Sequence, residues 1–280
     1  MAVKLIIDSA GDISKAEIDS LGIIMLPMVI SFGNEDYFDG IDLSPKQFFE
    51  KLVESDVVPK TSQVTPYRFT EAFEQISKED EAIVITISSK LSGTYNAAVN
   101  AAREFDNIYV VDSLNACVGE GILIHYALEL INQGLSAKDI CSKLEEVKSK
   151  AKIMVIVNTL EYLRKGGRIS SFTAIAGSLL AIKPIVGVVD GELKQLGKAR
   201  GSKNAFNLLN TLVNNTNGID FDKPFGVFYS GLDDSIANKY IKDSAQLWEG
   251  YTSKIPVYSM GSTIGTHIGP GAVGIAFFEK

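Results

Sequence analysis

The sequence predicts an α/β protein, with a parallel-sheet region leading into an α+β region. Three observations predict it. Short Val- and Ile-rich runs are apolar on both faces, helix-period segments alternate with them, and a hairpin signal replaces that alternation after Asn158. Residues 4–8, 83–87, 108–111 and 153–157 read as buried strands, because each is apolar on both faces and bounded by polar residues. The helices between them carry explicit starts. Ser14 and Glu17 have capping-box spacing, Ser44-Pro45 is completed by Gln47, and Thr65-Pro66 places a hydroxyl before proline at the first helical position. Strands and helices alternating at this spacing indicate parallel βαβ units, which makes residues 1–160 one α/β domain.

Beyond Asn158, Arg164-Lys165-Gly166-Gly167-Arg168 forms a basic, glycine-rich break before a small-residue helical stretch at 173–181. Residues 184–189 and 192–197 read as two strands joined by Asp190-Gly191, since Asp-Gly supplies the positive φ of a tight turn. Further strands are expected at 225–229, 256–260 and 273–278, and helices near 203–214 and 235–247. This makes 161–280 a second, α+β domain. With no internal repeat or low-complexity linker between them, the two are expected to pack closely.

Composition narrows the function. The chain has 280 residues, 46% hydrophobic and 22% charged, which suits a globular protein. Its 27 Lys+Arg against 34 Asp+Glu leave a net charge of −7, which argues against nucleic acid as a partner. Cys117 and Cys141 cannot build a disulfide framework, and with only His125 and His267 beside them no metal site is expected. No apolar run approaches the ~20 residues that span a bilayer, and Asp8 interrupts the first one, so a cytoplasmic protein is expected. No GxGxxG, Walker loop, HExxH or GxSxG pattern is present.

Hydroxyl-rich segments remain. Ser88-Ser89-Lys90-Leu91-Ser92-Gly93-Thr94-Tyr95-Asn96 follows a strand and leads into an alanine-rich helix, at the strand end where open α/β sheets gather ligands. Gly93 would allow close backbone approach, and Ser92 and Thr94 add donors; the same residues would equally serve a helix cap with no ligand. Thr61-Ser62-Gln63 is a second such segment, or a plain loop. His267 lies among glycines and is the better functional histidine, whereas His125 falls in a periodic apolar run and reads as packed. Lys194, Lys198, Arg200 and Lys203 form a basic stretch, either a solvated surface or a docking patch for an acidic partner or a membrane.

Taken in order, several segments resemble the DegV family of bacterial fatty-acid-binding proteins. They are Ile6-Ile7-Asp8-Ser9, Thr61-Ser62-Gln63, Leu91-Ser92-Gly93-Thr94-Tyr95, Val111-Asp112-Ser113, Leu163-Arg164-Lys165-Gly166-Gly167-Arg168-Ile169, Ile182-Lys183-Pro184 and Gly265-Thr266-His267-Ile268-Gly269-Pro270-Gly271, spread from residue 3 to about 279. The resemblance implies a two-domain DegV-like (EDD-type) fold with a long-chain fatty acid in a tunnel between the domains. It implies that Thr61 and Ser92 hold the carboxylate, with Ser62, Gly93, Thr94 and His267 nearby. It further implies a carrier with no catalytic residues and no cofactor, which presents the acid to a separate fatty-acid kinase. The kinase makes an acyl phosphate for phospholipid synthesis. Docking would fall on Lys198, Arg200 and Lys203, against the kinase or transiently against a membrane surface. Acyl-chain lining is expected among Ile24, Met28, Ile175, Leu179 and Ile182. Cys117, where a serine is expected, and Gly201-Ser202, interrupting the basic stretch, depart from the family pattern. The alternative is a serine hydrolase with Ser92 as nucleophile, His267 as base and Asp112 orienting the imidazole.

Overall fold

A computed structural model describes residues 2–169 and 181–280; the expected helix at 173–181 and the expected lining residues Ile175 and Leu179 lie outside them, apart from Ala181. Through the first half the elements are β1 (Val3–Asp8), α1 (Lys15–Leu21), β2 (Ile24–Leu26), β3 (Val29–Phe32), β4 (Glu35–Phe38), α2 (Pro45–Glu54), β5 (Lys60–Ser62), α3 (Pro66–Glu74), β6 (Glu81–Thr86), α4 (Thr94–Ala102) and β7 (Ile108–Asp112). Then follow α5 (Val118–Asn132), α6 (Ala137–Val147), β8 (Ala151–Ile156), α7 (Glu161–Lys165), β9 (Ile182–Val189), β10 (Glu192–Arg200), α8 (Ser202–Asn214), β11 (Gly226–Tyr229), α9 (Ser235–Asp243), β12 (Val257–Ser259), α10 (Ser262–Ile268) and β13 (Val273–Phe278).

The capping residues act as their spacing requires. Ser14 with Glu17 and Ser44 with Gln47 close reciprocal boxes on α1 and α2, and Thr65 accepts from the Arg68 amide at the start of α3. A four-stranded parallel sheet has the order β2-β1-β6-β7. The chain turns back across this sheet at β1 and β6, so their carboxyl ends, Asp8 and Thr86, border the crevice where such sheets place ligands.

A six-stranded mixed sheet has the order β10-β9-β8-β13-β11-β12. Asp190 (φ 53°) and Gly191 (φ 80°) make the tight turn between β9 and β10. The run at 153–157 differs from its sequence reading. As β8 it pairs antiparallel with β13 and β9 and is not a parallel strand of the first sheet. A run apolar on both faces signals burial, and burial does not reveal pairing direction. Both faces are indeed covered. Ile153 and Val155 of β8, with Ala276 and Phe278 of β13, join the core shared with the parallel sheet, whereas Met154, Ile156, Ile275 and Phe277 pack with Phe206, Tyr240 and Trp248 on the other side.

A three-stranded antiparallel sheet, β4-β3-β5, was not expected. Its strands are three or four residues long, too short for a periodicity to show. It is backed by Phe32, Phe48 and Phe49, with ring centroids 6.0 and 5.1 Å apart. Thr61-Ser62 thus belongs to an edge strand, with Thr61 opposite Ile30, rather than to a loop. Gly201 interrupts the basic stretch for a backbone reason: it starts α8 at φ 77°, and its amide donates to the Ala181 carbonyl.

The 261–271 glycine segment contains the helix α10, and this helix is capped by a distant residue. Asp39 Oδ1 accepts from the Ser262 amide at 3.1 Å, Asp39 Oδ2 from the Thr263 amide at 3.0 Å, and Asp12 Oδ1 from the Gly261 amide at 2.9 Å. Asp8 stands nearby, its carboxylate held by the Ala10 and Ile87 amides. Burial pushes Asp8 up to about 7 and Asp12 up to about 8, with the charge of Asp39 adding to both. A carboxyl raised by folding stabilises the fold in its protonated form. That contribution is complete below about pH 4, the unfolded value, and is lost as pH rises through the folded values. Stability in urea is therefore expected to fall between about pH 4 and pH 8 and to level off above that. Asp12→Asn, which suits the left-handed backbone at this position (φ 54°), is expected to flatten that slope; an unchanged slope in the variant would contradict the assignment.

Candidate ligand-binding site

A cavity of about 360 Å³ opens where the parallel sheet, the small sheet, α10 and the β9–β10 hairpin meet. Its size falls in the usual range for small-molecule sites. Thr61, Ser62, Gln63, Ser92, Gly93 and His267 form a polar side, with Arg168 at the rim. Met28, Ile87, Leu91, Val188, Leu193 and Ile264 line the apolar side. The site therefore draws on segments from nearly the whole chain.

Each polar residue is set by its element. Thr61 on β5 reaches His267 on the last turn of α10, with Oγ1 and Nε2 2.9 Å apart. The other imidazole nitrogen, Nδ1, is buried without a hydrogen-bond partner among the described residues. Gly166, just after α7, makes room for this ring: a Cβ there would lie 2.1 Å from Nδ1. Burial, assisted by the charge of Arg168, pushes His267 down to about 4, so the imidazole is neutral at pH 7. On the facing loop, the Ser92 and Thr94 hydroxyls are 2.9 Å apart. Thr94 is fully buried behind Ser92 and supports it, without itself lining the cavity. Gly93 carries the close approach of the two hydroxyl segments, since a Cβ there would lie 2.0 Å from Gln63 Oε1.

The structure thus brings Thr61, Ser62, Ser92, Gly93 and His267 onto one cavity. His267 sits on a helix, not in a glycine loop as its neighbours suggested; Gly261, Gly265 and Gly269 fall at four-residue intervals, and the middle one packs against Phe48 and Phe49. Met28 lines the cavity, and Ile24 and Ile182 do not. Sequence reasoning missed Arg168 and Thr263 as lining residues, and Asp12 and Asp39 as the anchors of α10. Reading α10 as a helix would have put Thr263 and His267 on one face.

The basic residues Lys198 and Arg200 are exposed on β10, at the edge of the six-stranded sheet, and Lys203 is exposed at the start of α8. Lys194 pairs with Glu192 at 3.7 Å. His125 is packed, with Nε2 3.3 Å from Glu17 and its ring against Tyr258. Cys117 is buried beside Asp12, and both burial and that carboxyl push its thiol up, away from reactivity.

A hydrolytic triad is not assembled. His267 Nε2 is engaged by Thr61 and Nδ1 by no partner among the described residues, while Asp112 accepts from the Ser89 and Leu114 amides. Among the described residues, no group of three or more His, Cys, Asp or Glu is placed to hold a metal ion, and no helix is long and apolar enough to cross a membrane.

The DegV family model, described as "Uncharacterised protein, DegV family", matches residues 2–280. The chain belongs to the DegV family. A DegV domain-containing protein of Caldanaerobacter subterraneus subsp. tengcongensis is 34% identical over 282 residues, covering 99% of both chains. The DegV fold is shared with a solved structure described as fatty acid binding of a DegV family protein from Thermus thermophilus, at TM-score 0.87, 29% identity and full coverage of both chains. It is shared equally with a structure described as DegV, a fatty acid binding protein from Bacillus subtilis, at TM-score 0.84, 31% identity and full coverage of both.

His267 provides a direct check on this DegV-family site. A base lowered by folding from about 6.5 to about 4 contributes stability above the unfolded value and loses it as pH falls through the folded one. The ring is expected to titrate below pH 5 by NMR in the unliganded protein. Gly166→Ala is expected to push the imidazole off Thr61 and return its titration toward 6.5; an ordinary titration in the parent chain would contradict the burial.

Proposed function

We propose that this chain binds a long-chain fatty acid in the cavity, with the tail along the apolar side and the carboxylate on Thr61, Ser92 and His267. The observation that carries the reading is the arrangement of neutral donors at one side of an apolar cavity. The description of the Thermus and Bacillus relatives as fatty-acid binding supports it. Burying about 15 methylenes at roughly 0.8 kcal/mol each supplies on the order of 12 kcal/mol before ordering costs. The tail therefore drives affinity, and the donors orient and select the acid.

The cavity's role as an interdomain tunnel and a cytoplasmic location belong to the same proposal, with the domain boundary moved from near residue 160 to before β8, which pairs in the six-stranded sheet. So does the chemical purpose. Hydroxyls, with a neutral imidazole bonded behind Thr61 to orient its hydroxyl, hold a carboxylate without the full charge neutralisation of a buried arginine, which keeps its oxygens nucleophilic. A separate ATP-dependent fatty-acid kinase would then phosphorylate the presented acid. This chain would act as carrier, and the acyl phosphate would pass to phospholipid synthesis at a membrane. Lys198, Arg200 and Lys203 are the proposed docking residues; they share the β10 region with Leu193, which lines the cavity.

Two measurements test the reading. Thr61→Val and Ser92→Ala are each expected to weaken palmitate binding by about 10- to 100-fold, the effect of a hydrogen bond to a charged group. Hexadecanol binding should change much less, and equal losses for both ligands would mean that these hydroxyls do not read the carboxylate. Charge reversal of Lys198 and Arg200 together is expected to leave palmitate affinity unchanged while lowering acyl-phosphate formation by the cognate kinase at least tenfold. Undiminished turnover would move the docking surface elsewhere.

A further inference from the structure

One wall of the cavity is a strand pair that reaches past the body of its sheet. In the β9–β10 hairpin Val188 pairs with Leu193 and Val189 with Glu192, and both Val188 and Leu193 line the cavity. The pairing of β9 with β8 runs from Ile185 to Gly187, so Val188 and Val189 extend β9 beyond the last residue that β8 supports. On the other strand, β10 is the edge of the sheet, and its register with β9 shifts between Gln195 and Gly197. Such a bulge interrupts the ladder and bends the strand where it falls.

The end of this overhang is fastened to the opposite side of the cavity. Ser88, fully buried in the loop after β6, donates from Oγ to the Gly191 carbonyl at 2.7 Å. The turn sits tightly there: a Cβ on Gly191 would lie 2.7 Å from the Ser88 hydroxyl oxygen and 3.1 and 3.2 Å from the Leu114 and Lys90 side chains. Ser88 itself is fixed to the parallel-sheet side. Its amide donates to the Asn115 carbonyl at 2.8 Å, and its carbonyl accepts from the Ser92 amide at 3.1 Å. A single side-chain bond thus joins the hairpin tip to the loop that carries Ser92.

Given the fatty-acid reading above, we propose that the tip of the β9–β10 hairpin is a flap over the cavity, latched by the Ser88 hydroxyl on the Gly191 carbonyl, and that the acid enters and leaves when this latch opens. The overhang beyond Gly187 is the moving part, and the bulge between Gln195 and Gly197 is its flexible root. An acyl chain in the cavity adds apolar contact to Val188 and Leu193, so it binds the closed state better than the open one and shifts the equilibrium toward closure. The Thr61–His267 pair lies on β5 and α10, so opening the hairpin leaves it in place.

The test is stopped-flow exchange of the fluorescent long-chain acid cis-parinarate against palmitate, on the full chain and on Ser88→Ala. The variant is expected to associate and dissociate about three- to tenfold faster, the effect of one net hydrogen bond, with its Kd within about twofold of the parent. Unchanged rates would overturn the proposal. So would faster dissociation alone with a matching loss of affinity, because Ser88 would then support the bound acid instead of gating it. Hydrogen exchange of the parent chain needs no variant and decides alone if Ser88→Ala does not fold. Palmitate is expected to slow exchange at residues 188–193 about tenfold more than at residues 273–278 of β13, and equal slowing at both, or none at the tip, would overturn the flap. A parent chain that binds neither acid removes the fatty-acid reading and this proposal together; palmitate binding with parent-like exchange rates in Ser88→Ala removes this proposal alone.

Discussion

The site depends on the capping of α10 by Asp39. A seven-residue helix cannot hold itself in water, and this one ends at both sides in glycine. Its first amides are fixed by Asp39, in the turn after β4, and by Asp12, in the turn after β1. These bonds carry Thr263, Ile264, His267 and Ile268 onto the cavity and set the imidazole against Thr61. The same helix continues through Gly269 and Gly271 into β13, the central strand that the shared core packs against. Position of the ligand groups and integrity of the core are therefore coupled through one set of carboxylate–amide bonds.

The electrostatics of the interior follow from the same packing. Although the chain carries a net charge of −7, burial shifts several interior groups toward their neutral forms. Burial keeps Asp12 largely protonated and Asp8 near half-protonated, pushes Glu120 far up, and holds His267 unprotonated. A carboxylate entering such a site meets oriented dipoles and one rim guanidinium, not a buried counter-charge. That arrangement suits the proposed binding mode, in which the tail supplies the affinity and neutral groups hold the head.

Much of this was legible in the sequence, for identifiable reasons. The capping boxes at Ser14 and Ser44, the Asp190-Gly191 turn and the β13 run are local signals, and local signals survive in any fold. The hydroxyl segments stood out because serine, threonine and glycine cluster there at strand ends. What could not be read was long-range. Thr61 and His267 are 206 positions apart, and Asp39 caps a helix 223 positions away. The three-stranded sheet was too short to show a period, β8 concealed its pairing direction behind two apolar faces, and α10 hid its helical character behind its glycines.

The most direct test of the account is mass spectrometry of the purified chain, first under native conditions and then after denaturation and organic extraction. The account requires a native mass above the chain's own by that of one long-chain fatty acid. That increment must disappear on denaturation, and the same acid must be found in the extract. A chain that carries no such mass and takes up none when incubated with long-chain fatty acids would contradict it, and the hydroxyl cluster would then have to serve a different ligand.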